Sequence, residues 1–385
     1  MVVFLLAVDE GGYFADTRRW AGLALLAATG LRVAWLGRPH PTRLGVATFS
    51  LLAVLALWTL LSSTWGIGGT AAGFEAERTL FYAIALGALL VLGDGGWAGL
   101  LTGVLAGIAA VCVVALALAA GGFVERDPFE GTLLHEPVGY ANALGIVAAM
   151  GVLLGAGKAL EPGPRHMRAL TASAAVVAGV ALVLTESRGA WLALACGAGV
   201  LVALRAPRPF AWAVPLGLAA TAALAAPFAS YGHRTSYWRA ALDDAQDAPL
   251  LGSGAGSFDD YWRAYGTLPV NVRDAHSLYL EILAELGPIG LAFLVAALVL
   301  PLVAVWRIRR WAPAGAPAAA YVAWLVHAGI DWDWEVPVTT LVTLACAAVL
   351  LGATPPRGTR APASVDAGGG ALRPECRAAS GAAPH

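Results

Sequence analysis

The chain has 385 residues, 59% of them hydrophobic and 13% charged, against the roughly 25% charged residues of a soluble domain. That balance excludes a water-soluble globular core, and the lack of period-two alternation excludes a β-barrel. The formal net charge of −1 is uninformative as a total, and the distribution of charge carries the signal; no nucleic-acid partner is expected.

Apolar runs of the length that crosses about 30 Å of hydrocarbon as a helix recur from end to end. They predict spans over 1–8 (partial), 20–36, 44–62, 79–93, 97–119, 140–157, 168–186, 190–204, 209–229, 278–306, 314–330 and 337–352. The fold class is therefore all-α, a polytopic transmembrane helical bundle of about twelve spans. The opening MVVFLLAVDE has no basic n-region and only eight apolar residues before Asp9, too few for a signal peptide, and reads as the end of a first helix. Cys112, Cys196 and Cys346 fall in apolar runs and Cys376 in the tail, so all four read as small hydrophobes.

Alternate connections carry Arg38, Arg43, Lys158, Arg165, Arg168, Arg205, Arg208, Arg307, Arg309 and Arg310, and the tail adds Arg357, Arg360, Arg373 and Arg377. With Arg32, 15 of the 24 basic residues lie on one side, which the positive-inside rule makes cytoplasmic together with both termini. A transmembrane domain over 1–353 then carries outer segments at 62–78, 120–139 and 230–277. The last is the large extracytoplasmic loop, rich in Trp, Tyr and Gly, and its composition predicts a small ordered cap. Residues 354–385, with Pro, Gly and Ala but no periodicity, read as a disordered cytoplasmic tail.

Ionisable groups at membrane depth are costly, so their placement marks function. In LTESRGAWLAL, Glu186 and Arg188 sit between two spans with almost no loop, and Gly189 would permit the tight turn. A guanidinium pinned there suits a phosphate; the alternative is snorkelling or pairing with Glu186. In the large loop, Arg234 and Arg239 precede the glycines Gly252, Gly254 and Gly256, whose backbone N–H groups could face an anion or form a plain turn. His276 heads a long apolar helix bearing Glu281 and Glu285 at i, i+4, and histidine suits general-base work because it titrates near neutrality. HAGIDWDWEVP places His327, Asp331, Asp333 and Glu335 near an outer helix end, where the acid-x-acid pattern fits a metal less well than an interfacial aromatic belt. Glu75, Arg78, His135 and Glu136 read as interhelical ion-pair formers. Tyr237, Trp238, Tyr261 and Trp262 could stack on sugar rings or pack together.

Taken in order, GYANALG, TESRGAWLAL, HRTSYWRAAL, LLGSGAGSF and AHSLYLEILAELGPIGL resemble the O-antigen ligase and polymerase superfamily of membrane glycosyltransferases, over roughly residues 140–300. GGYF near the start and DWDWEVP near the end resemble an actinobacterial type. The resemblance implies a GT-C-like helical bundle in the cytoplasmic membrane that moves a glycan from an undecaprenyl diphosphate-linked donor to a glycan, lipid or protein acceptor, without a metal or other cofactor. Carried over, Arg188 is the arginine of the S-R-G match, Arg234 heads the R-x-x-x-W pattern, and His276 is the loop histidine. These three are the expected catalytic residues, with Arg188, Arg234, Arg239, Gly254, Gly256 and Glu281 as the expected substrate-binding set. One departure is Ser277, where the family often has Asn. A polysaccharide polymerase of the same superfamily, a polytopic lipid or glycan transporter, and a non-catalytic scaffold are the competing readings.

Overall fold

In hydrocarbon every backbone polar group must be satisfied within the chain, so apolar runs of this length resolve as helices. A computed structural model describes residues 1–37, 39–94, 96–123, 131–205, 232–309 and 311–353; the expected span at 209–229 and the tail 354–385 lie outside them. The helices are α1 (Val2–Ala7), α2 (Ala15–Leu36), α3 (Arg43–Leu61), α4 (Ala71–Leu92), α5 (Trp97–Ala120), α6 (Ala141–Ala159), α7 (Arg165–Thr185), α8 (Arg188–Arg205), α9 (Arg234–Asp247), α10 (Phe258–Tyr265), α11 (Leu278–Ile308), α12 (Gly315–His327) and α13 (Pro337–Gly352). Among the described residues there is no β-strand.

Among the described residues, six helices are long and apolar enough to cross a membrane: α3 with its one-turn extension to Thr64, α5, α6, α7, α8 and α11. The chain is thus a multi-pass helical membrane protein. α2 and α4 are of spanning length but carry charge, α13 is a shorter apolar helix, and α12 has 13 residues.

The packing is centred on α6, α12 and α13, whose Met150, Trp324, Tyr321 and Cys346 are fully enclosed. Around them, α3, α5 and α7 turn Leu57, Val113 and Val176 outward, as helices facing lipid do. Small residues set the close approaches, as expected where no hydrophobic force pulls helices together. A Cβ at Gly155 would stand 2.7 Å from the Thr171 carbonyl oxygen, and one at Gly197 2.7 Å from that of Ala319.

α11 is broken at Gly287 (φ 67°), immediately before Pro288. Proline has no N–H, so the Ala284 carbonyl four residues earlier loses its helical donor. Ser253 N donates to it at 3.0 Å, Gly254 N donates to the Glu285 carbonyl at 2.8 Å, and Trp58 Nε1 donates to the Leu286 carbonyl at 3.1 Å. The break is therefore a dock for residues 250–258. The segment 232–277 holds α9 and α10 and has its own small apolar core, built from Tyr237, Ala241, Phe258, Trp262, Val272 and Ala275.

Candidate functional site

The S-R-G motif forms the start of α8. Ser187 is buried, and its Oγ accepts the Ala190 N–H at 3.2 Å, the geometry of an N-cap. The left-handed residue of the turn is Glu186 (φ 51°), so the expectation that Gly189 makes the turn is corrected. Gly189 lies inside α8, and its smallness admits a neighbour: a Cβ there would stand 3.0 Å from His327 Nε2 and 3.2 Å from Ile330 Cδ1. Arg188 is exposed at the positive end of this helix and pairs with no carboxylate among the described residues. Gly145 of GYANALG fits against the cap, where a Cβ would meet that of Ser187 at 2.8 Å.

Arg234 opens α9 and reaches the same turn from the other side. Its Nη1 donates to the Ile330 carbonyl and its Nη2 to Asp331 Oδ2, both at 2.8 Å. Asp331 also accepts from Tyr140 OH at 2.8 Å and from Trp332 N at 3.0 Å, and Asn142 Nδ2 donates to Tyr140 OH at 2.7 Å. Burial alone would push the Asp331 carboxyl up, but the Arg234 guanidinium outweighs it and holds Asp331 below the usual carboxylate range. Asp331 therefore stays ionised and Arg234 stays anchored.

His276 faces the third member of the turn. Its ring lies 6.1 Å from that of Trp332 and 5.3 Å from that of Tyr237, and it is half-buried. It adopts φ 54°, a left-handed conformation that a non-glycine residue keeps only when its surroundings over-determine it. They do so here: Ala275 N donates to Glu281 Oε2 at 2.7 Å, and Trp238 Nε1 donates to the His276 carbonyl at 3.2 Å. His276 Nδ1 lies 2.9 Å from the Asp274 carbonyl oxygen. A carbonyl only accepts, so in the neutral tautomer Nδ1 is the protonated nitrogen. Ser277 is buried and makes no side-chain cap.

The turn Ile330–Asp331–Trp332 thus bonds Arg234 and faces the ring of His276, Gly189 beside Arg188 packs close to Ile330, and Tyr13 of GGYF adds an edge contact to Trp332 at 5.9 Å. The other expected site residues lie apart from it. Arg239 is exposed on α9. Gly254 and Gly256 offer no N–H to an outside anion, because the backbone from Gly252 to Phe258 is satisfied internally: Gly256 N and Phe258 N donate to the Glu285 carboxylate at 2.9 and 3.0 Å, and Ala255 N to Ser62 Oγ at 3.0 Å. Their N–H groups serve docking. Glu281 is buried and acts on the segment before His276 rather than lining an open face.

DWDWEVP is neither a belt nor one acid cluster. Each acid takes a different partner: Asp331 takes Arg234, Asp333 takes His327 Nδ1 at 2.6 Å, and Glu335 takes Arg78 at 3.4 Å, with Arg78 also bonded to Glu75. Trp334 is buried against Tyr82. Asp274, Glu281 and Glu335 bring one carboxylate oxygen each within 4.8 Å of one another, the donor set a divalent cation would need, and Arg78 already supplies positive charge there. Burial raises the Asp274 carboxyl to about 6 against the opposing pull of Arg78. Tyr237, Tyr261 and Trp262 are buried in the core of the loop, so packing accounts for them; Trp238 is the partly exposed one. Sequence reasoning missed Asp331, Trp332, Tyr140 and Glu285 as organisers. Acids alternating with tryptophans in an apolar chain were the available signal, since buried carboxylates require partners.

No curated protein matches the chain. Residues 173–295 match the O-antigen ligase family. That stretch runs from within α7, through the turn at Arg188, the loop with Arg234 and His276, and past the break in α11, and over it the chain is similar to the O-antigen ligase family.

Proposed function

We propose that the protein transfers a glycan from an undecaprenyl diphosphate-linked donor to a glycan, lipid or protein acceptor at the outer face of the cytoplasmic membrane. The reading is supported by an arginine anchored on the turn 330–332, a histidine ring facing Trp332 of that turn, and the close packing on Ile330 of Gly189, the neighbour of the exposed Arg188. The acceptor hydroxyl attacks the anomeric carbon, the bond from that carbon to the diphosphate oxygen breaks, and the hydroxyl proton passes to His276 Nε2. Negative charge grows on the leaving diphosphate. Arg188, at the N-terminus of α8, is free to take it, and Arg234, held by Asp331, adds a guanidinium of fixed orientation. Two guanidiniums then do the work that a divalent ion does in other transferases. Both termini lie in the cytoplasm on this reading, with residues 230–277 outside.

The test is glycan transfer in membranes carrying Arg188→Ala, Arg234→Ala or His276→Ala, each checked for accumulation of the protein. Each variant should lose transfer by about 10²–10⁴-fold. Arg188→Lys should also be poor, because an ammonium cannot form the bidentate contact. Normal transfer by all three alanine variants overturns the reading. Movement of lipid-linked glycan across sealed vesicles without a new glycosidic bond would favour a transporter.

A further inference from the structure

Another buried guanidinium lies outside this centre. Arg18, in the first turn of α2, is 6% exposed and forms no ion pair among the described residues. Its Nη1 donates to the Tyr13 carbonyl, and its Nε is buried without a partner. A buried cation with neither carboxylate nor full hydrogen bonding is unfavourable unless an anion completes it.

Arg18 heads a groove of about 370 Å³ between α2 and α4, walled by Gly22, Leu23, Leu26, Leu80 and Ile84. Two other charges border the groove, and they cancel: Arg19 holds Glu77 through Nε at 3.1 Å and Nη2 at 2.8 Å. The net charge left is that of Arg18. α2 turns Trp20 and Trp35 outward, 73% and 84% exposed, with Leu23, Leu26 and Leu31 between them. Two tryptophans 15 residues apart stand about 22 Å apart along a helix, as anchors at two interfaces do. Arg18 lies two residues before Trp20, at the end of α2 away from Trp35.

We infer that the α2–α4 groove binds a membrane lipid bearing a phosphate, with the phosphate on Arg18 and a hydrocarbon chain along Leu23, Leu26, Leu80 and Ile84. The site shares no residue with the Arg188–Arg234 centre, and Tyr13 links the two: its carbonyl takes Arg18 and its ring packs on Trp332. The inference holds whether or not the chain transfers glycan.

Native mass spectrometry of the full-length protein with added phosphatidylglycerol or dioleoylglycerol, which differ in the phosphate, tests it. Wild type should retain phosphatidylglycerol about tenfold better than dioleoylglycerol, and Arg18→Gln should lose that preference, the size of one charged hydrogen-bonded contact. Gly22→Leu, which fills the groove beside Phe81, should reduce retention of both lipids. Arg188→Ala should leave retention unchanged. Equal retention of the two lipids by wild type, or wild-type preference in Arg18→Gln, overturns the site. Loss of the lipid in Arg188→Ala to the same degree assigns it to the transfer centre and also overturns the proposal. If Arg18→Gln fails to accumulate, Gly22→Leu decides the groove and Arg18→Lys, which keeps the charge, decides the phosphate contact.

Discussion

Arg234 and Asp331 stand 97 residues apart in the chain and share an ion pair at 2.8 Å, with the arginine also bonded to the Ile330 carbonyl. This pair holds the loop segment to the corner between α12 and α13. Asp331→Ala should leave Arg234 half-buried without a counter-charge and cost about 3–5 kcal/mol. Asp331→Asn keeps a polar contact but not the charge, and glycan transfer should fall about 10–100-fold with the protein still present in the membrane. Transfer assays paired with immunoblots of membrane fractions check both outcomes.

Gly189 is tested by a single methyl group. A Cβ would come within 3.0 Å of His327 Nε2 and 3.2 Å of Ile330, so Gly189→Ala should displace the start of α8 and with it Arg188. We expect transfer to drop by about 10²-fold, the effect of an ångström-scale misplacement. Gly179→Ala is the control: its nearest neighbour, Val152, is 3.8 Å away, and the added methyl should leave transfer unchanged. Wild-type transfer by Gly189→Ala would argue against close packing at this point.

Glu285 latches the glycine-rich segment through two N–H groups, those of Gly256 and Phe258. Glu285→Ala leaves both donors unmet in a buried place and should destabilise the latch by about 2–4 kcal/mol. Limited proteolysis should then cut within 232–277 faster than in wild type, and Glu285→Gln, which still offers one acceptor, should fall between. Cutting rates indistinguishable among the three would mean that the segment is held elsewhere.

Asp244 gives a pH dependence of known sign. Burial raises its carboxyl to about 6, although Ser253 Oγ donates to it at 2.8 Å. An unfolded aspartate titrates near pH 3.9, so between about pH 4 and 6 the folded chain holds a proton that the unfolded chain has released. Stability from this group therefore falls as pH rises through that window and is flat above it. Asp244→Asn should remove this component, and above pH 6 it should raise stability by up to about 2 kcal/mol. Thermal unfolding of wild type and variant across pH 4–8 measures the difference.

Much was legible from local pattern. The lengths of the apolar runs identified a helical membrane protein, because the hydrocarbon imposes one solution on any chain that crosses it. The motif order pointed to Arg188, Arg234 and His276, each beside a helix start. That α4 begins at Ala71, several residues before its apolar run, was not legible: Glu75 and Arg78 are polar in sequence and become tolerable inside a helix by pairing with each other and with Glu335.

The sequence by itself determined the class of solvent and the apolar helices that answer to it, and it singled out three side chains as the expected site. Hydrophobic length and residue type are local properties, and each can be read from a short window. Tertiary structure alone decided what each polar group faces. It made Gly254 and Gly256 a dock for the broken α11 rather than an anion cradle, and divided Asp331, Asp333 and Glu335 among Arg234, His327 and Arg78. Partners for buried charges come from residues distant in the chain, and the cost of leaving a charge unpaired in a dry interior selects them only once the helices have packed.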